Sequence, residues 1–313
     1  MNVFISGISG FIGKALATDL AGRGFTVAGM GTDESLAIPG VSYVRGDVCD
    51  RAAVKKYSRG SDVFIHLASI VGYSEIAKDP KHMFDVNWEG TRGMLDAFVE
   101  NNGSHFIFFS TSAVYGAAPG MPRREDMIPR PTTYMGRSKY MCEQMLDFFS
   151  GIHPEKRFSI LRPFNVYGPG QKESFLVPLL ARQIAEGKED VSLDLARISA
   201  KRDYVYVDDV VSAVFAVINN RSDHGTDIFD VGTGRAYSAE DIIRIFSSLA
   251  GKEIKIAGTA AEYRRDEQDE EYCSCEPLRR LGWTPEVDIR EGIARVLDWY
   301  KERSSEDSKV KSA

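Results

Sequence analysis

The chain has 313 residues, 43% of them hydrophobic and 27% charged, with a formal net charge of −6; this suffices for one large domain or two interlocked ones around a substantial core. A mildly acidic balance with no basic stripe excludes nucleic acid as the main partner, although local arginines can still hold a small diphosphate. No apolar run approaches the ~20 residues of a membrane-crossing helix, and the apolar start at Val3 to Ile5 runs into glycines with no basic segment before it, so a cytoplasmic chain with no membrane partner is expected.

In chain order, Asn2 to Ser6 is a short apolar run that ends in a glycine-rich turn. Ile12, Ala15, Leu16 and Leu20 then follow helical spacing, and Phe25 to Met30 predicts a second strand. Val63 to Ala68 and Phe106 to Ser110 read as buried strands, with helical spacing over Trp88 to Val99 between them. Tyr140 to Phe149 is helical and Phe158 to Leu161 a strand. Such alternation predicts an α/β fold: a Rossmann-type, doubly wound parallel sheet covered by helices on both faces. After about Gly168 the pattern breaks into Pro and Gly, a helix over Val177 to Glu186 and scattered short segments. Val205 to Ile218 and Ile228 to Val231 read as a return to the sheet, and Ser238 to Ala250 and Ile289 to Tyr300 as helices. The expected division is a dinucleotide-binding domain over 1–168 with 204–234 returning to it, a smaller mixed α/β substrate domain over 169–203 and 235–302, and a flexible polar tail over 303–313.

Of the four cysteines, Cys49, Cys142, Cys273 and Cys275, only the last two are close in sequence. The pattern predicts neither a disulfide framework nor a metal site, and Cys273 and Cys275 read as two small residues at a turn.

The glycine turn carries the first chemistry. Gly7, Gly10 and Gly13 stand between the first strand and the first helix. The first glycine permits the tight turn, the second lets backbone approach a pyrophosphate, and the third lets helix and strand pack closely, while the helix N-terminus offers N–H groups to the anion. An acid usually closes the second strand and grips the adenosine ribose; here none stands at Gly31, and Asp33 follows two residues later. No Lys or Arg follows that strand closely enough to hold a 2′-phosphate, which favours NAD and leaves NADP open.

Further blocks follow in order: Gly46-Asp47-Val48, His66-Leu67-Ala68-Ser69, Asn87 to Thr91, Ser110 to Gly116, Gly136 to Lys139, Arg162 to Gly170, Arg202 to Asp209, and Leu281-Gly282-Trp283. With the glycine turn, they make the chain resemble the extended short-chain dehydrogenase/reductase family, in its nucleotide-sugar epimerase/dehydratase branch, from Met1 to about Tyr300. The resemblance implies an NAD(P)-dependent enzyme acting on a nucleoside-diphosphate sugar, often as a homodimer built on the helices around Trp88 to Val99 and Tyr140 to Phe149. It implies cofactor contacts from Gly7, Gly10, Phe11, Ile12, Gly13, Asp33, Asp47, Val48, Leu67, Ala68, Ser69, Lys139, Phe164 and Val166. Asn87 would hold the strands around the site, and Ser112, Asn165, Arg202 and Arg265 would meet the substrate, the two arginines at its diphosphate. Asp47, Asn87 and Arg265 each have a plainer reading, as a turn cap, a helix cap and a solvated charge.

The family's chemistry uses a Ser/Thr, a Tyr and a Lys; Thr111 and Lys139 match two of them. The Tyr belongs four residues before the Lys, one helical turn away, and that position is Met135, whose thioether carries no proton. Three explanations stay open: the neighbouring Tyr134 swings in; another group such as Tyr73 is the acid/base; or the protein binds cofactor and sugar nucleotide with little turnover. Met at this place also resembles some inverting sugar-nucleotide dehydratases, whose other signatures are missing. Ser112 and Ala113 stand where related dehydratases carry an Asp-Glu pair, which leaves 4-epimerisation first and 4-keto reduction second.

Overall fold

The structure is a computed structural model that describes residues 1–188, 190–193, 198–220, 225–251, 253–259 and 268–311. Its elements run β1 (Asn2–Ser6), α1 (Phe11–Gly22), β2 (Thr26–Gly31), β3 (Val41–Arg45), α2 (Arg51–Tyr57), β4 (Val63–His66), α3 (Tyr73–Lys78), α4 (Pro80–Glu100), β5 (His105–Phe109), a 3₁₀ turn over Ser112–Val114 and α5 (Tyr134–Ile152). They continue through β6 (Arg157–Pro163), β7 (Asn165–Tyr167), α6 (Leu176–Ala185), β8 (Asp190–Leu193), β9 (Lys201–Tyr206), α7 (Val207–Asn219) and β10 (Gly225–Val231). The chain closes with β11 (Ala236–Tyr237), α8 (Ala239–Ala250), β12 (Lys255–Thr259), β13 (Glu270–Glu271), α9 (Glu276–Arg280) and α10 (Ile289–Lys311).

Seven parallel strands form the main sheet in the order β10-β6-β5-β4-β1-β2-β3. Its inner strands are almost wholly buried, with apolar centres, because both faces are covered. Alternation sorts their side chains. Val3, Ile5, Ile65 and Ile107 pack with Leu16 and Leu20 of α1 and Val210 and Val214 of α7. Phe4, Phe64, Phe106, Phe108 and Phe158 turn to the other face, where they meet Leu95 and Phe98 of α4 and Leu146 of α5. A third cluster joins Leu180 of α6, Ile242 and Phe246 of α8 and Val296 and Leu297 of α10.

Two expectations are corrected. The segment from Val205 does not lead straight back to the main sheet: β9 pairs with β7, β11 and β13 in a smaller sheet, and only α7 and β10 return. The predicted polar tail is helical to Lys311, a continuation of α10 with no Gly or Pro to stop it. Among the described residues no helix is long and apolar enough to cross a membrane.

Candidate active site

Strand order reverses between β1 and β4, which opens a crevice at their carboxyl ends. Gly7 turns there with φ +73°, and a Cβ on it would stand 2.7 Å from Ala68 N in the loop after β4. A Cβ on Gly13 would stand 2.3 Å from Gly7 O and 2.7 Å from Ile8 Cα, so helix and turn touch backbone to backbone. At Gly10 a Cβ would meet only Gly7 O, at 3.2 Å, and the residue is exposed. Gly10 is the N-cap of α1, and among the described residues no side chain caps the helix or satisfies the N–H groups of Phe11, Ile12 and Gly13. An open backbone cradle with spare donors fits a pyrophosphate.

Farther along the crevice, Asp33 is half exposed beyond the end of β2. Its carboxylate lies 3.4 Å from Lys14 Nζ, and its carbonyl accepts the Tyr43 hydroxyl at 2.5 Å. Arg45 lies 3.9 Å from Glu34. Asp47 accepts Cys49 N–H at 2.9 Å and so caps its own turn, while Val48 is buried against Gly90.

Leu67, Ala68 and Ser69 follow β4, whose last residue, His66, is wholly buried. Ser6 and Thr91 hydroxyl oxygens lie 2.6 and 3.0 Å from its two ring nitrogens. Thr91 gives its proton to Asn87 O at 2.6 Å, so it accepts from His66 Nε2–H, and Nδ1 accepts from Ser6. Burial, and secondarily the charge of Lys139, keeps this imidazole neutral far below the usual histidine range. Asn87 is a junction rather than a helix cap. Its Oδ1 accepts Ser69 Oγ at 2.8 Å, and its Nδ2 donates to Ser138 Oγ at 3.0 Å, which joins the loop after β4 to α5.

Thr133 caps α5 by accepting Gly136 N–H at 3.0 Å. One turn into the helix, Lys139 is 3% exposed and donates from Nζ to Phe109 O at 2.8 Å. Burial pushes this lysine down to about 8, against the pull of Cys142 and Glu143. Thr111 lies two residues beyond Phe109. Its Oγ1 accepts Ala113 N–H at 3.2 Å, which leaves its hydroxyl proton for another partner. Ser112 is buried in the 3₁₀ turn behind it. Met135 is half-buried on the Lys139 side of α5, whereas Tyr134 is 61% exposed at the first helical position. The expectation that Tyr134 swings inward is not met here: neighbours on a helix diverge by ~100°, and Thr133 has already fixed the helix start. Tyr73 opens α3, just after the β4 loop.

On the substrate side, Phe164 is a core residue, buried and bonded from its N–H to Val231 O at 2.9 Å, with half-buried Val166 beyond it. Parallel pairing of β7 with β9 brings exposed Asn165 to Asp203 O, 3.3 Å from its Nδ2, beside Arg202. Arg202 donates to Gln268 O at 3.0 Å. Arg265 lies outside the described residues. Cys273 and Cys275 are buried with their sulfur atoms turned toward each other, beside Asp203 and the Gly232 carbonyl. Sequence reasoning also missed Arg123. It is wholly buried, and it donates to Ala118 O, to Gly120 O at 3.3 Å and to Gly116 O at 3.0 Å, folding the 116–131 loop around itself.

A glycine cradle at the sheet's switch point, with a buried lysine and a free threonine hydroxyl across the crevice, defines a dinucleotide-dependent enzyme of the short-chain dehydrogenase/reductase type. Residues 3–232 match the NAD dependent epimerase/dehydratase family, and the chain belongs to it. It is 30% identical to a GDP-6-deoxy-D-mannose reductase of Pseudomonas aeruginosa, over 97% of this chain and 99% of that one. Among solved structures, it resembles UDP-glucose 4-epimerase from Bifidobacterium longum in complex with NAD+ and UDP (TM-score 0.86, 26% identity, 97% and 99% of the two chains). It also resembles RMD from Pseudomonas aeruginosa complexed with NADPH (TM-score 0.81, 28% identity, 96% and 99%).

Proposed function

We propose that the chain is an NAD-dependent nucleotide-sugar epimerase that inverts C4 of a nucleoside-diphosphate sugar through a transient keto sugar. The observation that carries this is the placement of Lys139 Nζ on Phe109 O, two residues from Thr111, opposite the Gly7–Gly13 cradle. The cradle holds the paired phosphates, with Leu67, Ala68, Ser69, Phe164 and Val166 along the cofactor and Asp47 and Val48 at the adenine end. NAD rather than NADP is supported by Asp33 at the ribose end: the cations near it are already matched, Lys14 by Asp33 and Arg45 by Glu34. Bound there, the nicotinamide would supply the acceptor, and then the donor, of a hydride at C4.

Lys139 would hold the nicotinamide ribose through its remaining N–H groups, and Thr111 would donate a hydrogen bond to the reacting sugar oxygen. Ser112 and Asn165 line the sugar, and Arg202, with Arg265, meets its diphosphate. Ser112 and Ala113 bring no carboxylate to C5 and C6, which supports epimerisation over dehydration. Met135 withdraws the hydroxyl that ordinarily takes the C4 hydroxyl proton as hydride leaves, so that proton passes to another acceptor, for which Tyr73 at the start of α3 is the candidate.

A second reading, 4-keto reduction, is favoured by the identity to the GDP-6-deoxy-D-mannose reductase. Incubating the pure protein with NAD and nucleotide sugars, and following the sugar by NMR, separates the two. An epimer at constant cofactor supports the first. Stoichiometric consumption of added NADH or NADPH with a 4-keto sugar supports the second, and tight binding of both ligands without turnover overturns both in favour of a binding protein.

We also propose a homodimer in the cytoplasm. Exposed Met141, Phe148 and Ile152 share one stripe of α5, and Phe84 and Trp88 stack on α4, which supports a face where two copies meet.

A further inference from the structure

Behind Lys139 lies a set of buried polar side chains that the proposed reaction does not use. Glu143 stands one helical turn beyond Lys139 on α5 and is 2% exposed. Its Oε1 accepts Ser110 Oγ at 2.5 Å and Arg162 Nε at 3.0 Å, and its Oε2 accepts Arg162 at 2.7 Å. Arg162, on β6, also donates to the Tyr115 hydroxyl at 3.0 Å, and that hydroxyl donates to Asp230 on β10 at 2.7 Å.

The geometry repeats itself one turn apart. Two consecutive residues at the end of β5, Phe109 and Ser110, grip two residues one turn apart on α5, Lys139 and Glu143. A single contact would leave the helix free to roll about its axis; two contacts on one face, the second clamped by a forked guanidinium, do not. A buried ion pair is a poor source of stability compared with apolar residues of the same volume. Its effect here is on position, because it fixes where the Lys139 ammonium lies relative to Thr111.

We propose that Glu143, held by Arg162 and Ser110, is the positioning residue for Lys139: it locks the turn of α5 that presents the ammonium. The groups facing that ammonium are few. His66 from β4 is neutral, Cys142 from α5 stays a thiol because burial raises it, and β5 supplies the Phe109 carbonyl and the Phe108 ring. Arg162 and Asp230 stand behind Glu143. Glu143 is thus the one carboxylate acting on Lys139 from its own helix.

The inference rests on Lys139 holding the cofactor, and the test separates the two. NAD affinity is measured by calorimetry from pH 6 to 10 for the wild type, Lys139→Ala, Glu143→Gln and the double variant Glu143→Met/Arg162→Met. The double variant removes the ion pair as a unit and leaves Asp230 on the Tyr115 hydroxyl, and thermal melting checks that it folds. Both Glu143 variants are expected to bind NAD severalfold more weakly at pH 7. In Glu143→Gln, which leaves the Arg162 cation in place, the pH at which affinity falls is expected to move down by about half a unit or more, whereas in the double variant, which removes a cation with the anion, it stays near the wild type. Glu143→Gln that binds NAD with wild-type affinity and midpoint, while Lys139→Ala weakens binding, overturns the role of Glu143 alone. Unchanged affinity in Lys139→Ala overturns the underlying assignment as well.

Discussion

Lys139 is buried without a direct carboxylate contact; a backbone carbonyl and an aromatic face surround its ammonium instead. Burial therefore dominates and lowers it from 10.5 to about 8. In the proposed role the protonated form holds the cofactor, so NAD affinity is expected to fall as pH rises through about 8. Stability runs the other way: between about 8 and 10.5 the unfolded chain binds the extra proton, so the fold gains stability as pH rises there. Lys139→Ala is expected to weaken NAD binding and turnover together by about tenfold or more, the worth of a charged hydrogen bond, as titration and rate measurements will read. The neighbouring position gives a second prediction. Met135 shares the Lys139 side of α5 and Tyr134 does not, so Met135→Tyr is expected to raise turnover and Tyr134→Phe to leave it unchanged.

Among the elements, the β1–α1 turn shows how three glycines can serve separate needs. Gly13 is required by packing, because its Cβ would collide with backbone that cannot yield; Gly10 has room on its open side. Gly13→Ala is therefore expected to destabilise the fold by about 1–3 kcal/mol and to lose NAD binding. Gly10→Ala should melt near the wild type yet bind NAD more weakly, its methyl group standing where phosphate approaches. Thermal unfolding and calorimetry on both variants check the contrast. The periodicity of α1, α4 and α5 was legible because each packs one apolar stripe on the sheet. β3 and α2 went unread: β3 is a half-exposed edge strand without a clean alternation, and α2 buries only Val54.

At the scale of the whole molecule, one parallel sheet orders both halves of the site. Its aromatic face seats α4 and α5, and the outer sides of those helices carry Phe84, Trp88, Met141, Phe148 and Ile152. If two copies meet there, Phe148→Glu puts an unpaired charge into the interface and should convert a dimer to a monomer, as sedimentation or light scattering will report. A wild-type chain that sediments as a monomer removes the dimer altogether.

The parallel α/β architecture and the glycine cradle could be read from the sequence, because each depends on spacing within a single strand, turn or helix; Thr111 and Lys139, on different elements, were singled out by family resemblance alone. Even the i, i+4 relation of Lys139 and Glu143 stood in the sequence, as a spacing without a partner. Only the tertiary structure decided what Glu143 meets: Ser110 and Arg162 lie 33 and 19 residues away, and Tyr115 meets Asp230 across 115. The same holds for Tyr134, which stays outside, and for the buried Cys273 and Cys275. Local periodicity tells which face of an element is buried; which buried polar groups meet is set by how the sheet stacks its strands, and that information is spread over the whole chain.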